Sequence, residues 1–419
     1  MRKLARSLAL IAILASSAAC GDDAGAGGAT DQKGAGVEVS RSFDLVPVTT
    51  PDATDSALVT LPVGPAGAVV RDDGVLVGST LYDLDGAELA TGVVAERAGS
   101  YSAGWTLTRA DGTVIYVDGV GATVTAPGES AVTVPFASAG DGGQLEAFLA
   151  EGGDVLVAFH RDILDTDAGD GAFTPSGSLS VARLDVDART FTPFATFALD
   201  GQATRFAVQG DSLWFAGVDS WAGNFRDIYG GGGEDVNQWM IVGRVDADLE
   251  LAFVTTVDFD RELADTTISE SASQDGALDL GFDDAGDAYL LSRTNWGPVD
   301  VGDGVFRFGI VKVTRAGKVA WANRFEADRY AGTATNFATF ALQADLLAVG
   351  GDGSLAVTIT ENASAAMQTY LYRFDPSGRP VSRASFGSVV QPTALGFTAD
   401  GAAVAVGYLG GAASALVVR

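Results

Sequence analysis

Past residue 36 the chain alternates short apolar runs with turns rich in Asp and Gly, and the pattern recurs along its length. One unit is an apolar strand, a tight turn and a second apolar strand. It reads AVVRDDGVLVGS at 68–79, TLTRADGTVIYVDG at 106–119 and AFLAEGGDVLVAF at 147–159. It returns as FAVQGDSLWFAG at 206–217, LGFDDAGDAYLLS at 280–292, AVGGDGSLAVTI at 348–359 and LGFTADGAAVAVG at 395–407, seven copies in all. Such turns join twisted antiparallel strands, and Asp and Gly are expected to supply the positive-φ positions.

A second unit of strand, turn and strand falls between copies of the first. It is LYDLDGAEL at 81–89, VARLDVDARTF at 181–191, VGRVDADLEL at 242–251, VKVTRAGKVAW at 311–321 and LYRFDPSGRPV at 371–381. Alternating the two gives four strands per repeat. The pattern predicts an all-β fold, a seven-bladed β-propeller occupying residues 37–419. Strands such as VLVAF and AYLLS are apolar on both sides. A blade covered on both faces by its neighbours accounts for that, whereas a sheet with one wet face would alternate. The last residues, SALVVR, look like a second-unit strand without its successor. Ala415–Arg419 are therefore expected to pair into the N-terminal blade and close the ring.

In an up-and-down blade, turns alternate between the two ends. All Asp/Gly hairpins are then expected on one face, and the long connections 162–180, 219–241, 259–276, 294–308 and 326–336 on the other. Connections of this length usually carry function. Segment 219–241 holds Trp221, Phe225, Arg226, Tyr229 and Trp239, and Trp296 lies in a neighbouring connection. Aromatics beside polar groups suit a protein or glycan surface; packing onto the blade tops is the structural alternative. Asp162, Asp165, Asp167 and Asp170 are a candidate calcium set, because hard cations take several carboxylate oxygens from a bending loop; a solvated acidic loop is the alternative. His160, the sole histidine, is expected at a blade end. Zinc sites of His and Cys are excluded by counting.

Stretches 230–251 and 297–328 resemble the seven-bladed propeller repeats of large secreted bacterial proteins, notably those of myxobacteria. The resemblance implies architecture and setting, and it carries no catalytic residues.

The N-terminus changes the picture of where the domain sits. Arg2, Lys3 and Arg6 precede a short apolar run and small residues, the layout of a secretory signal peptide over 1–19. SAAC, ending at the only cysteine, Cys20, resembles a bacterial lipobox. That resemblance implies lipidation of Cys20, a membrane anchor and, from Gly21, an outer-membrane location; plain secretion stays open. Residues 20–36 have no apolar side chain larger than alanine after Cys20 and read as a flexible tether.

The chain carries 54 acidic against 26 basic residues, a formal charge of −28. Nucleic acid is thereby excluded as a natural partner. Three functional classes remain: a surface-tethered module binding a protein or glycan, a carbohydrate-active hydrolase or lyase using Asp/Glu pairs, and an outer-membrane assembly scaffold. No cofactor other than calcium is suggested.

Overall fold

The computed structural model describes residues 44–47, 51–61, 67–100, 104–138, 143–165, 174–199, 201–219, 236–238, 240–257, 272–274, 276–294, 307–326, 346–363, 366–388, 391–409 and 412–419. Among them every regular element is a strand. Seven sheets, taken in chain order, hold 68–91, 97–135, 144–199, 201–257, 276–326, 346–388 and 391–418; these are blades 1 to 7 of a β-propeller. From blade 2 round to blade 7 and on to blade 1 the first strands of neighbouring blades touch, so they line the axis. Blade 2 adds a further strand, Arg97–Ser100, on the inside of that ring.

The two-sided apolar strands do what their composition requires. Buried clusters fill the seams between blades 2 and 3, 3 and 4, 4 and 5, 5 and 6, 6 and 7, and 7 and 1. Trp214 is the largest wedge. It lies between blades 4 and 5, with ring centroids 5.4 Å from both Phe253 and Phe282. Gly217, on the same strand, sits where a Cβ would come within 1.8 Å of the Gln202 carbonyl oxygen, so only glycine lets these strands pair.

The hairpin turns divide their labour differently from the expectation. Glycine alone supplies most of the positive φ, as at Gly86 (φ 85°) and Gly378 (φ 75°). The aspartates instead accept backbone hydrogen bonds. Asp83 Oδ1 takes the N–H groups of Asp85 and Ala87, Asp246 Oδ1 those of Asp248 and Glu250, and Asp375 Oδ1 those of Ser377 and Arg379. The short carboxylate satisfies donors that the tight turn leaves unpaired. Much of the acidity is therefore turn architecture.

The ends of the chain do meet, but the exchange runs the other way from the expectation. Ser56–Thr60 pairs antiparallel with Ala412–Val418 and completes blade 7, which the C-terminal segment builds with three strands. Blade 1 is complete without the tail. The reason is that 81–89 already supplies blade 1 with its outer pair, leaving the open edge at blade 7. Upstream, Asp44–Pro47 runs parallel to Val319–Glu326 outside blade 5. Between the two, Ala53 N–H donates to the Arg383 carbonyl (2.7 Å), Arg383 N–H donates to that of Pro51 (3.1 Å), and Asp52 pairs with the Arg383 guanidinium at 3.3 Å on blade 6. The N-terminal stretch thus straps blades 5, 6 and 7 before it enters blade 1.

One hydroxyl is out of place in this packing. Thr108 Oγ1, on the side of blade 2 turned toward blade 1, is buried without a hydrogen-bond partner among the described residues. Thr108→Val keeps the shape and removes the unpaired group. It is expected to stabilise the fold by about 1 kcal/mol, read as a raised Tm in thermal unfolding.

Candidate functional site

The two faces of the ring differ in kind. On one face the hairpin turns are bonded to one another across the blades. Glu151 N–H donates to the Gly210 carbonyl (3.0 Å), Asp284 N–H to that of Gly351 (3.1 Å) and Ala399 N–H to that of Asp72 (3.1 Å). Matched third-strand cations add to the fastening. Arg183 Nη2 reaches the Asp211 carbonyl at 3.1 Å, Arg244 Nη1 that of Arg315 at 2.6 Å and Arg373 Nη2 that of Gly401 at 3.3 Å, each in the next blade. In blade 5 the matched residue is Lys312. Its Nζ lies 3.0 Å from both Asp283 and Asp287. Burial works against the Lys312 charge, yet hydrogen bonds with Tyr289, Asp283 and Asp287 raise its pKa overall.

All the long connections start and finish at the opposite face. They join 165 to 174, 219 to 236, 257 to 272, 294 to 307 and 326 to 346, in blades 3 to 6. In blades 1, 6 and 7 the same end has short links, such as 363–366 and 409–412. Beyond the blades, Val236–Gln238 pairs parallel with Ala272–Gln274 and ties two of the long connections together. In blade 3 the central ladder continues well past the neighbouring blades: Arg161 pairs with Ser178, and pairing runs on to Asp165 with Thr174. At about 3.3 Å per residue, the four steps beyond Arg161 extend the ladder by roughly 13 Å.

That ladder corrects one expectation. The span 162–180, read as loop, is strand at both ends, because Ile163 and Leu164 continue the register opposite Ser176 and Pro175. The Asp and Gly content of the stretch hid this. Asp162 and Asp165 lie on the strand Val155–Asp165, opposite Gly177 and Thr174. Asp167 and Asp170 fall outside the described residues, as do Cys20, Trp221, Phe225, Arg226, Tyr229, Trp239 and Trp296. Among the described residues no group of three or more His, Cys, Asp or Glu side chains is arranged to hold a metal.

The axis carries a set of residues that pattern reading passed over. Trp105, Glu146, Arg205 and Asp279 occupy one repeated position on the first strands of blades 2 to 5; blades 6, 7 and 1 have Leu346, Ala394 and Gly67 there. Three of the four reach the next blade. Trp105 Nε1 donates to the Leu145 carbonyl at 2.8 Å, Arg205 Nε donates to the Leu278 carbonyl, and Asp279 Oδ2 accepts from Leu347 N–H at 2.8 Å. Arg97, from the added inner strand, is ion-paired with Glu146. Its guanidinium lies 3.4 Å from the Trp105 ring centroid and 4.1 Å from that of Phe148. Burial pushes the Glu146 carboxyl up, with Arg97 pulling against it. Burial likewise raises Asp279 against two backbone N–H donors. These groups spend their hydrogen-bonding capacity on blade-to-blade bonds, so the half ring works as a fastening. The signal was available, since each lies four residues before its hairpin turn, but a single charged residue in an apolar strand gives no pairing partner by sequence.

His160 lies within the strand, paired across to Gln144 and Leu179, and not at its end. The apolar residues before it suggested a strand about to finish, but the ladder runs on. The ring is 7% exposed and packs on Phe206 at a centroid distance of 5.0 Å, with Nδ1 unpartnered. Burial lowers its pKa to about 4. The unfolded chain binds this proton below about pH 6.5 while the folded chain does so only near pH 4, so stability is complete above pH 6.5 and falls toward pH 4. The group's contribution is about 3 kcal/mol across that window. In His160→Phe, urea unfolding between pH 6.5 and 4 is expected to lose that slope.

Comparison with known proteins finds only distant likenesses. No family model and no curated protein matches the chain. A streptogramin B lyase structure aligns over 87% of this chain and 98% of its own, at 10% identity and a TM-score of 0.38. An apocarotenoid oxygenase variant from Synechocystis covers 88% and 95% at 12% identity, with a TM-score of 0.37. A carbohydrate-active enzyme of Trichoderma reesei covers 91% and 100% at 10% identity, with a TM-score of 0.31. Likeness at this level carries no argument about chemistry, and the seven-bladed fold rests on the sheets themselves.

Proposed function

We propose that this chain is a lipid-anchored propeller of the bacterial cell envelope that binds a protein or glycan through the face bearing the long connections. The observation that supports it is the asymmetry of the ring. One face uses its turn atoms to hold blades together. The other receives, within blades 3 to 6, the five long connections between blade strands. A rigid scaffold that gathers long connections on one side is the usual arrangement of a recognition surface. The aromatic and polar content of 219–241 suits such a surface. The signal-like N-terminus and the placement of Cys20 support anchoring in the outer membrane.

Two measurements test this. Mass spectrometry of the mature protein is expected to find acyl chains on Cys20, absent in Cys20→Ala. Binding to purified envelope polysaccharides and envelope proteins is expected to fall at least tenfold when 220–235 is replaced by a short Gly/Ser link. It should be unchanged when the turn residues Asp85, Asp248 and Asp352 on the other face become Lys. Equal binding by the shortened chain removes the recognition face, and turnover of a glycan in the same assay replaces the binding module with an enzyme.

A further inference from the structure

The ring is not fastened equally all the way round. Six seams have a shared buried cluster and at least one polar bond between blades. Among the described residues, no shared buried cluster fills the seam between blades 1 and 2.

Matched positions show the same thing quantitatively. The first residue after the inner hairpin, turned toward the preceding blade, is Val75, Val155, Leu213, Ala288, Leu355 or Ala403 in six blades, and each is at most 1% exposed. In blade 2 it is Val114, 38% exposed. Two residues on, Val77, Val157, Phe215, Leu290, Val357 and Ala405 are at most 3% exposed, while Tyr116 of blade 2 is again 38% exposed. The facing side of blade 1 behaves alike at the axis. Val69 is 45% exposed, where the matched Leu107 of blade 2 is fully buried. Cross-strand pairing puts Thr106, Thr108, Thr123 and Thr125 on the same side of blade 2 as Val114 and Tyr116. Five of these six side chains carry a hydroxyl, and one of those hydroxyls is buried unpaired. Blade 2 keeps its dense apolar packing for blade 3. Alternation of this kind belongs to a sheet with one wet face.

We propose that the ring parts at this seam. Blade 1 stays with blade 7, to which it is joined by a shared cluster and by the Ala399–Asp72 backbone bond, and it swings away from blade 2 as a unit. The chain between Thr91 and Arg97 acts as the hinge. Parting exposes Leu76 and Leu81, which close the middle of the seam, and opens a lateral way to the axis beside Arg97. Little buried apolar contact opposes the motion, so it belongs to the low-energy end of local openings.

Thiol labelling tests this in a chain whose own thiol is removed by Cys20→Ser. Leu76→Cys and Leu156→Cys occupy the same position in blades 1 and 3, and both sites are almost fully buried. Under native conditions Leu76→Cys is expected to react with a maleimide at least ~10-fold faster than Leu156→Cys, with both melting cooperatively beforehand. Equal rates overturn the proposal. If Leu76→Cys does not fold, hydroxyl-radical footprinting of the unsubstituted protein decides: oxidation at Leu76 and Leu81 above that at Leu156 supports parting, and equal protection overturns it.

Discussion

A chain beginning at residue 62 is expected to lose the closed ring. Five residue pairs, from Ser56 with Val418 to Thr60 with Ser414, cover the outer edge of the last strand. Leu61, 2% exposed, belongs to the cluster between blades 7 and 1, and its N–H donates to the Ala413 carbonyl. Removing the strand takes away the apolar burial of Leu61 and Val59 and one whole ladder. The cost is on the order of 5 kcal/mol, a large part of the stability of an ordinary domain. It also leaves an apolar edge strand free to pair with another chain. Size-exclusion chromatography is expected to show higher-order species, and thermal unfolding a lost or much lowered transition. A chain beginning at residue 50, which loses the outer strand of blade 5 and keeps Ser56–Thr60, is expected to elute as the full domain does with a nearly unchanged Tm. If the shorter chain elutes as the full domain does and keeps the full Tm, the strap is not what closes the ring.

Asp283→Ala is expected to be the most damaging single substitution in the turn face. Asp283 is buried. Its Oδ1 accepts from Ala285 and Asp287 N–H, and its Oδ2 accepts from the Tyr289 hydroxyl and Lys312 Nζ, each at 3.0 Å. No other hairpin aspartate among the described residues combines turn capping with a half-buried cation and a buried phenol in this way. Alanine leaves Lys312 with Asp287 and Tyr289 and strips two N–H groups of their acceptor, a loss of about 3 kcal/mol at neutral pH. Asp283→Asn keeps an oxygen for the turn and gives up the charge, so about half that loss is expected. Burial works against the Asp283 carboxylate, but the hydrogen bonds from Lys312, Asp287 and Tyr289 hold its pKa below the ordinary value. Its contribution is present above the unfolded-state pKa near 4 and fades as pH falls further. The gap between wild type and variant, measured by urea unfolding, is therefore expected to close below about pH 4. His160 acts in the window above, between pH 6.5 and 4, so the two effects separate on the pH axis.

The strap and the seam together describe a ring with a strong and a weak side. Blades 5 to 7 are bound from outside by the N-terminal stretch, and blades 2 to 6 from inside by residues such as Trp105, Arg205 and Asp279. Among the described residues, blade 1 shares a buried cluster with blade 7 and with no other blade. The chain therefore stakes closure on a single strand exchange and leaves the opposite flank of blade 1 lightly packed.

Hairpins such as AVGGDGSLAVTI were legible in the sequence because a turn of Asp and Gly between apolar runs is a local arrangement, set by φ preferences within five or six residues. The repeat count, the two-sided apolar strands and the grouping of long connections at one end follow from local periodicity and strand parity. The meeting of the chain ends was legible for a related reason, since SALVVR left an edge that needed a partner. Which blade would receive the exchanged strand was not, because that depends on whether 81–89 packs as the outer half of blade 1, a long-range matter. The axis fastenings were hidden for the same reason. Arg205 and Leu278 are far apart in the chain, and only closure of the ring brings the guanidinium to that carbonyl. The exposed flank of blade 2 was written in TVIYV, whose alternation departs from VLVAF, but its meaning appears only when seven matched positions are compared in space. By itself the sequence determined the elements and their order, because hydrogen bonding and side-chain periodicity act over a few residues. The tertiary structure decided which surfaces are spent on holding blades together and which are left available, because that depends on neighbours that only ring closure supplies.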